Sequence, residues 1–400
     1  MAARLLLLFW LCASAMAADF EPNIPLLHLE SARSLGYGQK LKASLQMEYP
    51  KASGLSNTEK LPCEMKYRGA VSMSYEKKSY AIKLDKAAPL AGMKARRDWV
   101  LNAAFIDRSL MRHKLSYDLF SSLSTEAAPR YAAGSHFVEV FINGRYEGVY
   151  LLTERVDRKL LHLKKYDKDD SAHACIYKAV DHSARFNQNG HHGYEQHEPD
   201  RDKHKYWQPL DELNRFCNTS WDTAFFDPAT GISSRIDLGS AIDFHLLLLM
   251  VANNDGPDKN FILARDAARQ ENHPLFFFAP WDFDATFGRD WNASRLGPTM
   301  WLSNYLFDRL LENRDYRKRF VSRWRELRRA QFSIAGMHQM IDRNVETLGP
   351  AAQRNAKKWR RENGHFPDSL SFDEDIKQIK EWVVARVIWL DRAITDLENH

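Results

Sequence analysis

The sequence predicts an α+β protein, rich in strands over its first half and helical over its second. Three observations carry that expectation. Apolar and polar residues alternate through Cys63-Glu64-Met65-Lys66-Tyr67 and Ser79-Tyr80-Ala81-Ile82-Lys83-Leu84, the period of a half-buried strand. Asn143-Gly144 separates two β-rich runs at 137–142 and 146–156, a hairpin signal. Ile376, Ile379, Val383, Val387 and Leu390 recur at three and four, one face of a long helix.

The chain opens MAARLLLLFWLCASAMAADF, with Arg4, an apolar run and Ala15-Met16-Ala17, the three parts of a secretory leader over 1–17. The protein is therefore expected to be exported: periplasmic, cell-surface or extracellular. Its apolar run is too short to span a bilayer, and the longest later one, 242–252, is broken by Asp243 and His245. No transmembrane segment is expected. Cys63, Cys175 and Cys217 remain after the leader, so at most one disulfide forms, and no CxxC pair suggests zinc.

After 18–60, the strand signals run to 158, interrupted by a helix at 108–123 with Leu110, Met111, Leu115 and Leu119 on one face. The stretch 164–208 is polar and rich in His, Asp and Lys, and reads as loops or an insertion. A buried helix follows at 236–252, then a polar turn, then apolar strands at 261–264 and 275–278. From 303 onward the pattern is helical.

Composition bounds the function. Of 400 residues 44% are hydrophobic, which excludes a disordered chain, and 57 basic residues against 52 acidic argue against a nucleic-acid binder. The His residues at 182, 191, 192, 197 and 204 match no zinc template and read as a solvated loop. The basic stretches 323–329 and 357–361 read as solvated helix faces.

The sharpest constellation is the turn Asn254-Asp255-Gly256-Pro257-Asp258-Lys259-Asn260, followed by Trp281-Asp282-Phe283-Asp284 beyond the second apolar strand. Carboxylates and an amide at strand ends suit a hard cation such as Mg²⁺. Asp255 and Asn260 stand five apart, like the Asp and Asn of a kinase catalytic loop, and Asp282-Phe283 falls where the metal-binding Asp-Phe-Gly would come. Upstream, Ala81-Ile82-Lys83 echoes the strand lysine that holds ATP phosphates, and 150–155 lies at the hinge position. There is no GxGxxG loop, only Arg68-Gly69-Ala70-Val71-Ser72, and the helix at 108–123 offers Asp118 but no glutamate.

Further blocks carry a family resemblance: Lys66-Tyr67-Arg68-Gly69, Lys77-Lys78-Ser79-Tyr80, Asp98-Trp99-Val100-Leu101-Asn102-Ala103, Arg108-Ser109-Leu110-Met111-Arg112 and Gly148-Val149-Tyr150-Leu151-Leu152-Thr153-Glu154. With the two acidic segments they resemble, in order, the spore-coat CotH kinase family. The resemblance implies an atypical protein-kinase-like, two-lobed fold: a reduced β-rich N-lobe over 61–158, a catalytic C-lobe over 159–300 and a helical region over 301–400. It implies ATP and Mg²⁺ (or Mn²⁺) as cofactors and a protein substrate with a Ser/Thr acceptor; with the near-even charge balance, no nucleic acid partner is expected. By resemblance Asp255 is the catalytic aspartate, and Asn260, Asp282 and Asp284 are metal ligands. Arg68, Lys78 and Lys83 are candidates for the phosphates, with the choice of lysine open. Glu154 would support the hinge or the lysine. Two alternatives stand beside the kinase: a non-catalytic pseudokinase-like envelope or surface module, since ATP is scarce outside the cytoplasm, and a transferase or hydrolase using another phosphorylated substrate.

Overall fold

Alternating side chains in the first half become the wall of a closed barrel. The structure is a computed structural model describing residues 21–268, 274–359 and 370–398. The leader at 1–17 lies outside these residues, as do Arg360 and Arg361 of the basic stretch. Strands β1 (Leu26–Glu30), β2 (Leu41–Glu48), β3 (Leu61–Arg68), β4 (Ser79–Ala88), β5 (Arg96–Asn102), β6 (Ser135–Ile142) and β7 (Arg145–Glu154) close in the order β1-β2-β3-β4-β5-β7-β6. All neighbours are antiparallel except β1 and β6, which pair in parallel from Leu26↔Glu139 to Leu29↔Ile142. The strand region thus starts at Leu26, and residues expected only to precede it supply two staves. Their apolar alternation, Leu27, Leu29, Leu45 and Met47, is short, but all four fill the barrel interior.

The β6–β7 turn is two residues long, with Asn143 at φ 49° and Gly144 at φ 73°, the mirror-image turn that this dipeptide favours. Between β5 and β6 lies α1 (Arg112–Ser121), shorter than the expected helix because Leu110, at φ 62°, breaks the helical path before it.

A second core, larger than the barrel's, is built by the later elements. A four-stranded sheet runs β11-β10-β8-β9, from β8 (Cys175–Ala179), β9 (Tyr194–Glu198), β10 (Phe261–Arg265) and β11 (Phe277–Pro280). Two of these strands come from the polar stretch 164–208, correcting its reading as loops. Cys175, Ile176 and Tyr177 are buried there, in a run too short to stand out among polar flanks. Helix α2 (Gln208–Thr219) and the short α3 (Asp222–Phe225) lead to α4 (Leu238–Val251), which is apolar nearly all round and buried. Asp237 caps it by accepting from the Gly239 and Ser240 amides.

Helices α5 (Tyr305–Glu312), α6 (Arg314–Arg328), α7 (Ile334–Trp359) and α8 (Phe372–Asp396) finish the chain. Helix α7 bends at Gly349-Pro350, and its last turns press on β7. There the Asn355 side chain accepts from the Val149 amide, the Trp359 indole donates to Glu147 O, and Arg354 pairs with buried Glu139. Cys63, Cys175 and Cys217 are free and buried. Among the described residues no helix is long and apolar enough to cross a membrane.

Candidate functional site

The acidic turn is set by the end of α4. Its C-cap, Ala252, adopts a left-handed conformation, and the chain then folds through three backbone bonds: Gly256 N–H to Asn253 O, and Asp258 and Lys259 N–H to Asp255 O. Gly256 is required by close approach, since a Cβ there would lie 2.4 Å from the Leu248 side chain. Asn304 donates to Pro257 O at 2.7 Å and fixes the turn from α5. Asp255 ends with one carboxylate oxygen 2.8 Å from Lys259 Nζ and the other 3.5 Å from the His182 ring.

The second acidic segment leaves β11 beside the first. Trp281 N–H donates to Asn260 O, and the Asn260 amide donates to Ala179 O, so three strand ends meet here. Asp282 sits at φ 60°. Its amide donates to the Tyr117 hydroxyl at 3.3 Å, and its carbonyl accepts from Asn253 Nδ2 at 3.3 Å. Phe283 is fully buried beside Tyr117 and Phe244, which anchors the segment between two exposed or half-buried carboxylates.

Charge in this cleft is unevenly matched. Burial, then repulsion from Asp282 and Asp107, pushes the Asp284 carboxyl up to about 8. Burial pulls His113 down to about 4, and its ring lies tilted against Tyr117 with centroids 4.2 Å apart. Arg68 lies over the Trp281 indole at 4.8 Å and Lys178 of β8 over the same ring at 4.1 Å. Burial lowers both, Lys178 to about 8, while Asp282 acts against that on each.

Asp282, Asp284 and Asn260 offer two carboxylates and an amide, all oxygen donors, which is chemistry for a hard divalent cation. A cation there would relieve the repulsion that raises Asp284. The buried Asn253 Oδ1, on the side chain that holds Asp282, has no hydrogen-bond partner in the structure. Among the described residues no three His, Cys, Asp or Glu are grouped to hold a metal, so water and phosphate oxygens would complete such a shell.

Of the residues singled out in the sequence, Arg68, Asn260, Asp282 and Asp284 come to this cleft. Lys83 does not. Ile82 and Leu84 point into the barrel, so Lys83 faces solvent, between Glu64 and Asp98 of the adjacent strands. Glu154 is held by Arg96 at 2.9 Å and by the Gly134 amide. Lys78 donates to Met73 O at 2.7 Å and to Tyr75 O, which fastens the turn after β3. Its neighbour Lys77 is buried behind the barrel, donating to Val149 O and, at 3.0 Å, to Asn355 Oδ1. Nothing in the sequence singled out Lys178, Tyr117 or His113 for the site, or a separate role for Trp281 or Lys259 within their motifs. The spacing of Lys259 from Asp255 was the one signal available, since an acid and a base four apart often pair in a turn or helix.

This geometry defines an α+β protein with a cleft that sets paired oxygen donors against uncompensated cations. The chain belongs to the CotH kinase protein family, whose model matches residues 65–390. It is 29% identical over 347 residues to the inner spore coat protein H of Bacillus subtilis (strain 168), covering 84% of this chain and 88% of that one. Among solved structures it is similar to the Helicobacter pylori proinflammatory kinase CtkA at a TM-score of 0.32 and 10% identity, over 93% of this chain and 98% of that one.

Proposed function

We propose that the protein is an exported, two-lobed phosphotransferase that moves the terminal phosphoryl group of ATP to a Ser or Thr hydroxyl of a protein. The barrel would act as the nucleotide-binding lobe and the later elements as the catalytic lobe. The observation that carries this reading is the meeting of the Asn260 turn and the Trp281–Asp284 segment at adjoining strand ends, with Arg68 over the Trp281 indole. Family membership adds to it, and the leader-like first residues support export.

In this reading Asp255 orients the acceptor hydroxyl and takes its proton. Lys259, 2.8 Å away, holds that carboxylate in place. Asn260, Asp282 and Asp284 would hold Mg²⁺ or Mn²⁺, which when bound neutralises charge on the phosphates. Tyr117 and Asn253 fix the Asp282 backbone from both sides, so the ligand geometry is set before the nucleotide arrives. Arg68 contacts the phosphates from the barrel side. Phosphoryl transfer asks mostly for this positioning and charge stabilisation.

The test is the purified mature chain with labelled ATP and Mg²⁺ or Mn²⁺, wild type against Asp255→Asn. Transfer should be abolished in the variant while nucleotide binding and fold are kept. Full transfer by Asp255→Asn would sink the assignment. Binding without transfer by the wild type would favour a pseudokinase-like module.

A further inference from the structure

Two cations share one indole at the mouth of the cleft, and they come from different parts of the chain. Arg68 ends β3 of the barrel, while Lys178 lies on β8 of the small sheet, opposite Ile262 of β10. We propose that Lys178 and Arg68 form a polyphosphate clamp across Trp281, with Lys178 as the lysine that holds the nucleotide phosphates. The proposal rests on the phosphotransferase reading and names the residue that reading left open.

Pairing is the first argument. Buried basic groups elsewhere have partners at bonding distance: Arg96 has Glu154, Arg112 has Asp107 and Asp375, Arg130 has Asp243, and Lys77 has Val149 O and Asn355 Oδ1. Among the described residues neither the Arg68 nor the Lys178 side chain has a hydrogen bond or an ion pair, although both are half-buried. A desolvated cation without a counter-charge is costly to keep, so two on one ring mark a place built for an anion. The acid that acts on both is Asp282. If Asp282 serves a divalent cation, both positive charges are left to meet a ligand carrying more than one negative charge.

Position is the second argument. Residue 178 is one step from Ala179, whose carbonyl accepts from the Asn260 amide, and Asn260 O accepts from Trp281 N–H. Lys178 is thereby fixed to the same strand ends that deliver Asn260 and Asp282. The lysines of β4 and of the turn before it are engaged or turned away: Lys83 outward, Lys77 behind the barrel, Lys78 in its turn. The indole orients the two charges without neutralising them, as cation–π contact does.

The clamp is tested on the full mature chain by calorimetric titration with ATP, inorganic tripolyphosphate and adenosine, alongside labelled transfer. Lys178→Met should weaken ATP and tripolyphosphate binding at least tenfold, leave adenosine unchanged, and be largely rescued by Lys178→Arg. Arg68→Gln should act in the same direction, and Lys83→Met should match wild type. Circular dichroism and thermal melting exclude misfolding, and Arg68→Gln carries the test if Lys178→Met does not fold. If wild type binds and transfers while Lys178→Met binds both polyphosphates equally well, the clamp is overturned and the phosphotransferase reading survives. If tripolyphosphate binding depends on Lys178 but wild type transfers nothing, the clamp stands and that reading falls. A folded wild type that binds neither polyphosphate overturns both.

Discussion

Two clusters of charge lie on either side of α1, and they are built on opposite principles. Toward α8, Arg112 meets Asp107 at 2.6 Å and Asp375 at 2.6 Å, while Arg289 meets Asp375 at 2.9 Å. These side chains are 0–2% exposed. Burial alone would raise Asp375, but Arg112 and then Arg289 hold it at about 2. Toward the cleft, Asp282, Asp284, Arg68 and Lys178 stand close without a single ion pair among them. Closed pairing joins the N-terminal turn of α1 to α8 and is architecture. Open pairing leaves charges available and is where chemistry is expected.

The largest effect should separate the clusters by activity. Asp282→Asn is expected to lower transfer roughly 1000-fold or more, with a melting temperature no lower than wild type because it relieves Asp284. A melting temperature several degrees lower would make the cleft structural and erase the contrast. Next, Arg112→Met should destabilise the protein by about 3–5 kcal/mol, since it leaves buried Asp107 without its arginine. Urea unfolding measures this, and a cost near zero would show that the closed cluster contributes nothing.

A smaller effect probes the architectural side without charge. Gly148 has φ 93°, and a Cβ there would lie 2.5 Å from Asn355 Oδ1 and 2.7 Å from Trp359 Nε1. Gly148→Ala should cost about 1–3 kcal/mol by melting, through strain and lost contact with α7, and leave nucleotide affinity unchanged. The smallest is a slope. Burial pulls Lys77 down from 10.5 to about 7, so between those values the unfolded chain holds a proton that the native state has released. Native stability should therefore rise with pH from about 7 to 10, and Lys77→Met should flatten that rise in unfolding curves. An unchanged slope would mean that another group governs it.

Much of the scaffold was legible in the sequence because its signals are local. Asn143-Gly144 dictates its own turn, and the apolar run of α4 with the Asp237 cap dictates a buried helix. Strands β1, β2, β8 and β9 were not legible, since each is fixed by a partner distant in the chain. At the site, the spacing of Asp255 and Asn260 marked the acidic turn. Lys83 misled because Ala-Ile-Lys carries a motif's order but not its facing, which the parity of Ile82 and Leu84 decides. Lys178 belongs to no motif, and only the register of β8 on β10 brings it to Trp281.

The parallel seam between β1 and β6 has a consequence for how the chain folds. Leu26 meets Glu139, about 110 residues later, so the seam closes only after four strands and a helix lie between them. Contacts so distant carry a loop-closure cost before they return any burial. Until then β1 exposes an unpaired apolar edge. Asn23, just ahead of it, is in turn held by the carbonyls of Thr347 and Leu348 in α7. The first strand to appear is thus among the last to be secured, which makes the interval before β6 arrives the period when this chain most needs protection from its own kind.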